Sequence, residues 1–212
     1  MNAHSVASKI LRRMRASSGA VFSARDFLDL GNRAAIDQAL FRVARDGKVR
    51  RIGRGLYDIP RKGTIVDARA PSPDAVAAAI ARKFGARVAP TGAQAANAFG
   101  LTTQVPAQAR YLTDHPAKAV RIGKQVIAFD QVVPKRLARH PISTAVIESL
   151  RHIGHDHVTG DDVARIRRSL SRTDRQALRA DLQHAPTWMH RMIQAIASDD
   201  DHANDSVVKR HR

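Results

Sequence analysis

The 212-residue sequence has no cysteine, which excludes disulfide cross-links, thiolate metal sites and cysteine nucleophiles together. Its only glutamate is Glu148, aromatic residues make up 4%, and no apolar run approaches the roughly 18 residues that a membrane span requires. A Walker loop, a dinucleotide-binding glycine fingerprint and a nucleophile elbow are all missing, so the chain is expected to be non-enzymatic and to carry no cofactor. Lys9, Arg12 and Arg13 alternate with Ile10, Leu11 and Met14 at helical spacing, with no apolar leader core behind them; a cytoplasmic location is the expectation.

What the sequence has in excess is positive charge. Thirty-six Lys and Arg face nineteen Asp and Glu, a formal net charge of +17, and a chain this basic is suited to polyanions, nucleic acid first. An Arg- and Ala-rich coding bias would raise the charge without any binding role, so its distribution matters more than its sum. Residues 1–61 hold 13 basic and 5 acidic groups (+8), residues 62–198 hold 20 and 10 (+10), and residues 199–212 hold 3 and 4 (−1).

Local signals divide the chain. Residues 60–72 have proline near both ends and little periodicity, and read as a connector. The expected organisation is therefore a unit over 1–61, an α+β unit over 62–198, and a polar tail over 199–212 that buries too little to offset its own ordering. In the first unit Val6, Ile10, Leu11 and Met14 make one stripe of a helix, and Ser17-Ser18-Gly19 ends it. Val21-Phe22 is extended, Ser23 caps a short second helix through Phe27, Leu28 and Leu30, and Asn32 caps a third over Arg33–Arg45 with Gly47 as its stop. Lys48–Ile52 and Leu56–Ile59, around Gly53-Arg54-Gly55, predict a basic β-hairpin. Three helices followed by a basic hairpin are the order of a winged helix-turn-helix domain.

The inward stripe of the third helix is Ile36, Ala39, Leu40 and Val43, which leaves Ala34, Gln38, Phe41, Arg42 and Arg45 on the other side. Gln can pair with adenine and Arg with guanine through two hydrogen bonds each, and small Ala34 and Ala35 allow close approach. Phe41 could touch a thymine methyl, though packing against a neighbouring helix or a second subunit is the better reading. Arg33 and Asp37, four apart, are expected to pair with each other. Lys48, Arg50, Arg51 and Arg54 on the hairpin suit phosphates, or serve only to keep an exposed hairpin edge soluble. Ser23 and Arg25 can add a hydroxyl and a charge at the start of the second helix. The expected DNA-contacting set is therefore Ser23, Arg25, Asn32, Arg33, Gln38, Arg42, Arg45, Lys48, Arg50, Arg51 and Arg54.

In the second unit, Ser72-Pro73 opens a helix that Gly85 ends, and Thr91 to Gln94 has capping-box spacing ahead of an Ala-rich helix stopped by Gly100. Tyr111-Leu112, Ala119–Ile122 and Val126–Phe129 predict a small sheet, the last two joined at Gly123-Lys124. Helical periods return at 143–153, 160–169, 172–183 and 187–197, started by Ser143, Thr159, Ser171 and Thr187. His152, His155, Asp156 and His157 fall close together, but their spacing fits no zinc signature. Trp188 reads as a core or interface anchor, and Arg167, Arg168, Arg172, Arg175 and Arg179 as a solvated basic face that could also meet a partner.

Two stretches carry a more specific likeness. Asp26–Leu40 running into Arg54-Gly-Leu-Tyr-Asp-Ile-Pro60, and Pro90-Thr-Gly-Ala-Gln-Ala-Ala-Asn-Ala-Phe-Gly-Leu-Thr-Thr-Gln-Val-Pro106 followed by Tyr111-Leu-Thr113, resemble the AbiEi family of type IV antitoxins over most of residues 5–197. The resemblance implies an N-terminal winged-helix repressor of its own operon acting at inverted repeats, and a C-terminal domain that neutralises a nucleotidyltransferase-like toxin without needing a stable complex. It also implies that Arg33–Arg45 reads DNA and Arg50–Tyr57 is the wing. The partners expected on this basis are double-stranded operator DNA, the toxin, and a second copy of the chain on DNA. Without the resemblance, two other readings stand: a winged-helix regulator whose second unit senses a ligand or dimerises, and an RNA-binding protein.

Overall fold

The computed structural model describes residues 5–59, 70–116 and 119–198; most of the expected connector and the whole expected tail lie outside them. The fold is mixed α+β, with a two-stranded hairpin and a four-stranded antiparallel sheet among the described residues. By its contacts the chain forms two compact units, residues 1–86 with 118–127, and residues 87–117 with 128–212.

The first unit begins with α1 (Val6–Ala16), whose cap Ser5 accepts a hydrogen bond from the Ser8 N–H. Its buried Ile10, Leu11 and Met14 pack with Phe22, Phe27, Ile36, Leu40 and Val43 in one core. The expected second helix is a single 3-10 turn, Ala24–Phe27, and does not reach Leu30. The reason is competition for the Asp26 carbonyl: an α-turn would give it to the Leu30 N–H, but Arg13 Nη1 takes it at 2.7 Å, and Leu30 bonds to Phe27 O instead. The next helix, α2 (Arg33–Arg45), matches the expected span, with the Asn32 side chain accepting from the Ala35 N–H. Strands β1 (Arg50–Gly53) and β2 (Leu56–Asp58) make the hairpin, in register Arg50↔Asp58 and Arg51↔Tyr57 with an irregularity before Gly53. Phe22 and Tyr57 exchange two 2.8 Å backbone hydrogen bonds, which fix the hairpin to the extended segment before the 3-10 turn.

Helix α3 (Pro73–Phe84) has the cap Ser72, the N1 proline and the left-handed Gly85 stop foreseen for it. It falls within the first unit, whereas the sequence division at residue 61 puts it in the second. Three side chains hold it there. Arg82 bonds to Asp26 Oδ1 and Val21 O, both at 2.7 Å, Lys83 Nζ donates to Arg54 O, and Arg25 Nη1 donates to Lys83 O. Residues 118–127 also group with this unit.

The second unit contains β3 (Val88–Pro90), α4 (Gly92–Ala98) and β4 (Ala109–Thr113). The sequence reading omitted β3, which is a single turn of strand with one β-branched residue. It forms because Val88–Pro90 pairs with Tyr111–Thr113, and because Arg87 is locked to Asp114 and to Leu137 O. The expected capping box at Thr91 is not made: Gln94 Oε1 accepts the Arg110 N–H instead, a strand partner outcompeting the helix end. Strand β5 (Val120–Ile122) and β6 (Gln125–Gln131) follow, giving the sheet order β3-β4-β6-β5.

Helix α5 (Pro141–Ile153) starts at its N1 proline, so Ser143 is a buried residue of the first turn and not its cap. Helix α6 (Gly160–Ser169) and α7 (Arg172–Ala180) carry the capping boxes of Thr159 with Asp162 and Ser171 with Asp174. The latter stops short of 183 because Asp181, fully buried, accepts from both the backbone and the ring of His140. Finally, a 3-10 turn at Thr187–Met189 leads into α8 (His190–Ala197). Val146, Ile147, Leu150, Ile166, Leu178, Met189, Ile193 and Ile196 form the core of this unit. Helices α4 and α5 cross closely at Gly92, where a Cβ would stand 2.7 Å from Glu148 O and 2.9 Å from His152 Cβ. Among the described residues, no helix is long and apolar enough to cross a membrane.

Candidate nucleic-acid interface

Helix α2 presents two chemically opposite faces. Ile36, Ala39, Leu40 and Val43 are buried, while Ala34, Gln38, Phe41, Arg42 and Arg45 are exposed, Phe41 at 63%. At that exposure most of the Phe41 side chain meets solvent. Packing of Phe41 against a helix of its own unit is thus set aside. Among the described residues, the side chains of Gln38 and Arg42 make no hydrogen bond or ion pair, so their donors and acceptors face solvent. Arg45 stands only loosely by Asp46, 3.9 Å away.

The hairpin is anchored at its base and at its turn. Arg50 forks onto Asp58 at 3.0 and 2.6 Å, a pair in which the carboxylate is 5% exposed, and Asp58 raises the Arg50 guanidinium above its ordinary range. At the turn, Lys83 Nζ holds the Arg54 carbonyl at 2.7 Å; Gly55, at φ +67, leaves room for it, since a Cβ there would lie 3.2 Å from the ammonium. Burial, then the charges of Arg54 and Arg33, hold the Lys83 ammonium below its ordinary range. Arg54 and Arg33 thus stand near enough to Lys83 for their charges to act on it. Arg51 and Arg54 are exposed, and their side chains have no partner among the described residues.

Several expected contact residues have partners within the protein. Ser23 is 1% exposed with its hydroxyl on Asp26 Oδ2, so it is not open to a phosphate. Arg50 is engaged by Asp58, Arg33 by Asp37 at 2.8 Å as foreseen, Lys48 by Asp46 at 3.3 Å, and Arg25 by the end of α3. Asn32 gives its side-chain oxygen to the cap of α2. Among the described residues, Gln38, Arg42, Arg51 and Arg54 stay outward-facing and unpaired, and Arg45 is exposed beside its loose Asp46 contact. Sequence reading missed Lys83 altogether; as a cation in the last turn of a helix, it looks like a favourable partner for the helix dipole and nothing more.

In the other unit, Arg136 and Arg151 both bind Glu148, which is 3% exposed, so the lone glutamate is neutralised in place. Among the described residues, no group of three His, Cys, Asp or Glu stands together. His155 pairs with Asp156 and stands edge-on to Trp188 at 5.1 Å, and Trp188 lies half-buried against the core. In the basic series, Arg167 bonds to Ser198 Oγ and Arg179 to Ala197 O, so part of it braces α8.

Residues 7–178, most of the chain, match the family of unknown function DUF6088. The chain belongs to that family. No curated protein matches this DUF6088 chain. Among solved structures it is similar to the Rv2827c protein of Mycobacterium tuberculosis, at 15% identity and a TM-score of 0.40, over 92% of this chain and 80% of that one.

Proposed function

We propose that this DUF6088 protein is a non-enzymatic, sequence-specific DNA-binding repressor of its own operon, with residues 5–59 acting as a winged helix-turn-helix, and that it is also the antitoxin of a type IV pair. One observation carries the DNA-binding reading: among the described residues Gln38 and Arg42 stand exposed and unpaired on α2, opposite a buried stripe, beside a clamped hairpin whose Arg51 and Arg54 are likewise unpaired. Helix α2 would enter the major groove with Gln38 and Arg42 on base edges, and the hairpin would neutralise phosphates. The antitoxin part rests on the resemblance of residues 26–40, 54–60 and 90–113 to AbiEi proteins.

Titration against a duplex covering the region upstream of its own gene, and against a scrambled duplex, tests the first part. Arg42→Ala is expected to cost ~1–3 kcal/mol on the former and much less on the latter. Arg54→Ala is expected to weaken both alike and to lower the salt slope by about one. Equal losses on both duplexes for Arg42→Ala would refute base reading by α2. Co-expression with a neighbouring nucleotidyltransferase-like gene tests the second part: growth should recover, and continued arrest would remove the antitoxin role while leaving the repressor.

A further inference from the structure

The turn of β5–β6 repeats, in a different part of the chain, the chemistry of the first hairpin. Its register is Val120↔Ile127, Arg121↔Val126 and Ile122↔Gln125, closed by Gly123 at φ +58 and by Lys124. Ile122 is buried and Val120 half-buried, so the period of two turns Arg121 outward, and Lys124 projects from the turn. Both are exposed, and neither has a hydrogen bond or ion pair among the described residues. This hairpin tip belongs to the same compact unit as α2 and β1. The two hairpins meet at Gly53, where a Cβ would lie 4.0 Å from Val120 Cγ1. Beyond that point they border an open groove of about 840 Å³ lined by Arg51, Ile52 and Ser72 on one side and by Ile122, Lys124 and Gln125 on the other. Among the described residues no carboxylate lines it, and Arg50, which also lines it, is held by Asp58.

We propose that Arg121 and Lys124 are phosphate-contacting residues of the DNA interface, so that a duplex backbone is held by two basic hairpins and not by one. The inference rests on the DNA-binding reading above and extends it to residues some seventy positions beyond the first hairpin. Arg51 and Lys124 line the groove, Arg121 is exposed on β5 one position before the lining Ile122, and among the described residues none of the three has an acidic partner. A row of cations without counter-charges suits the repeating charge of a polyanion better than one small anion, which a single pair would satisfy. Each carries charge and no base-reading geometry, so their contribution is to affinity at every sequence.

The test is a salt titration of the full chain against the same upstream and scrambled duplexes, with circular dichroism confirming the fold of each variant. The double variant Arg121→Ala with Lys124→Ala is expected to lower the slope of log affinity against log salt by about two, equally on both duplexes. Lys124→Gln alone, at an exposed turn, is expected to take about one from it, and the exchange Arg121→Lys with Lys124→Arg to restore the parent slope. If Arg54→Ala lowers the slope while the double variant keeps it, this proposal falls and the DNA-binding reading stands. If the parent protein shows no salt-dependent binding to either duplex, both fall.

Discussion

In residues 87–116 and 128–198, several arginines reach for the chain's own oxygens. Arg87 ties Asp114 and the Leu137 carbonyl, Arg165 the Gly100 carbonyl, Arg179 the Ala197 carbonyl, and Arg136 with Arg151 a buried glutamate. On the first hairpin and the outer face of α2, by contrast, Arg42, Arg51 and Arg54 bind nothing within the described residues. The guanidinium is identical in both settings, and five donors in a rigid fork make it equally good at closing a fold or gripping a phosphate. What separates the two uses is whether an acceptor of the protein has been placed in reach. Arg50 and Arg51 show the contrast in adjacent residues: one faces Asp58 across the hairpin, and the other points away from it.

The largest effect that would break this contrast lies at Glu148. Replacing Arg136 and Arg151 together by Ala strips a buried carboxylate of both counter-charges, and a loss of about 3–5 kcal/mol is expected, on the order of 10 °C in Tm. A melt shifted by only a degree or two would mean that these arginines are surface ornaments like any other. Next comes the adjacent pair. Arg50→Ala should cost about 2 kcal/mol, because Asp58 is left nearly buried without its fork, whereas Arg51→Ala should change stability by no more than about 0.5 kcal/mol. Denaturant titration of both variants decides the matter, and equal losses would erase the distinction. The smallest effect is one of pH. Burial pushes Asp114 and Asp181 up, but the hydrogen bonds of Arg87 and of His140 outweigh it and hold both below the usual carboxylate range. Their contribution is therefore complete above the unfolded value of about 3.9 and is lost as pH falls through the lower folded values. Melts recorded from neutral pH to about pH 3 should show a shallower acid loss in Asp181→Asn, after allowance for its lower starting point.

Much of this fold could be read from short-range chemistry. Asn32 and Gly47 bracket α2, Ser72-Pro73 and Gly85 bracket α3, and Thr159 and Ser171 open their helices, because a cap acts within three or four residues of itself. Where the expectation failed, a distant partner had intervened: Arg13 on the Asp26 carbonyl shortened the second helix, Arg110 claimed Gln94 from the capping box, and His140 held Asp181. The candidate site follows the same rule. Its exposed face on α2 was legible from the helical period, but which arginines were already taken was not, since a cation in sequence looks alike whether tied or loose. Asp58 was the exception in principle, because hairpin register alone sets it opposite Arg50.

The clamp made by α3 also bears on how the molecule can be cut. A fragment ended at the proline-flanked segment would discard Arg82 and Lys83, leaving the Asp26 carboxylate and the carbonyls of Val21 and Arg54 to seek water instead of their partners. The hairpin tip would then swing on its own turn. Any excised first unit should therefore carry the helix that steadies its hairpin, much as a stylus needs its arm.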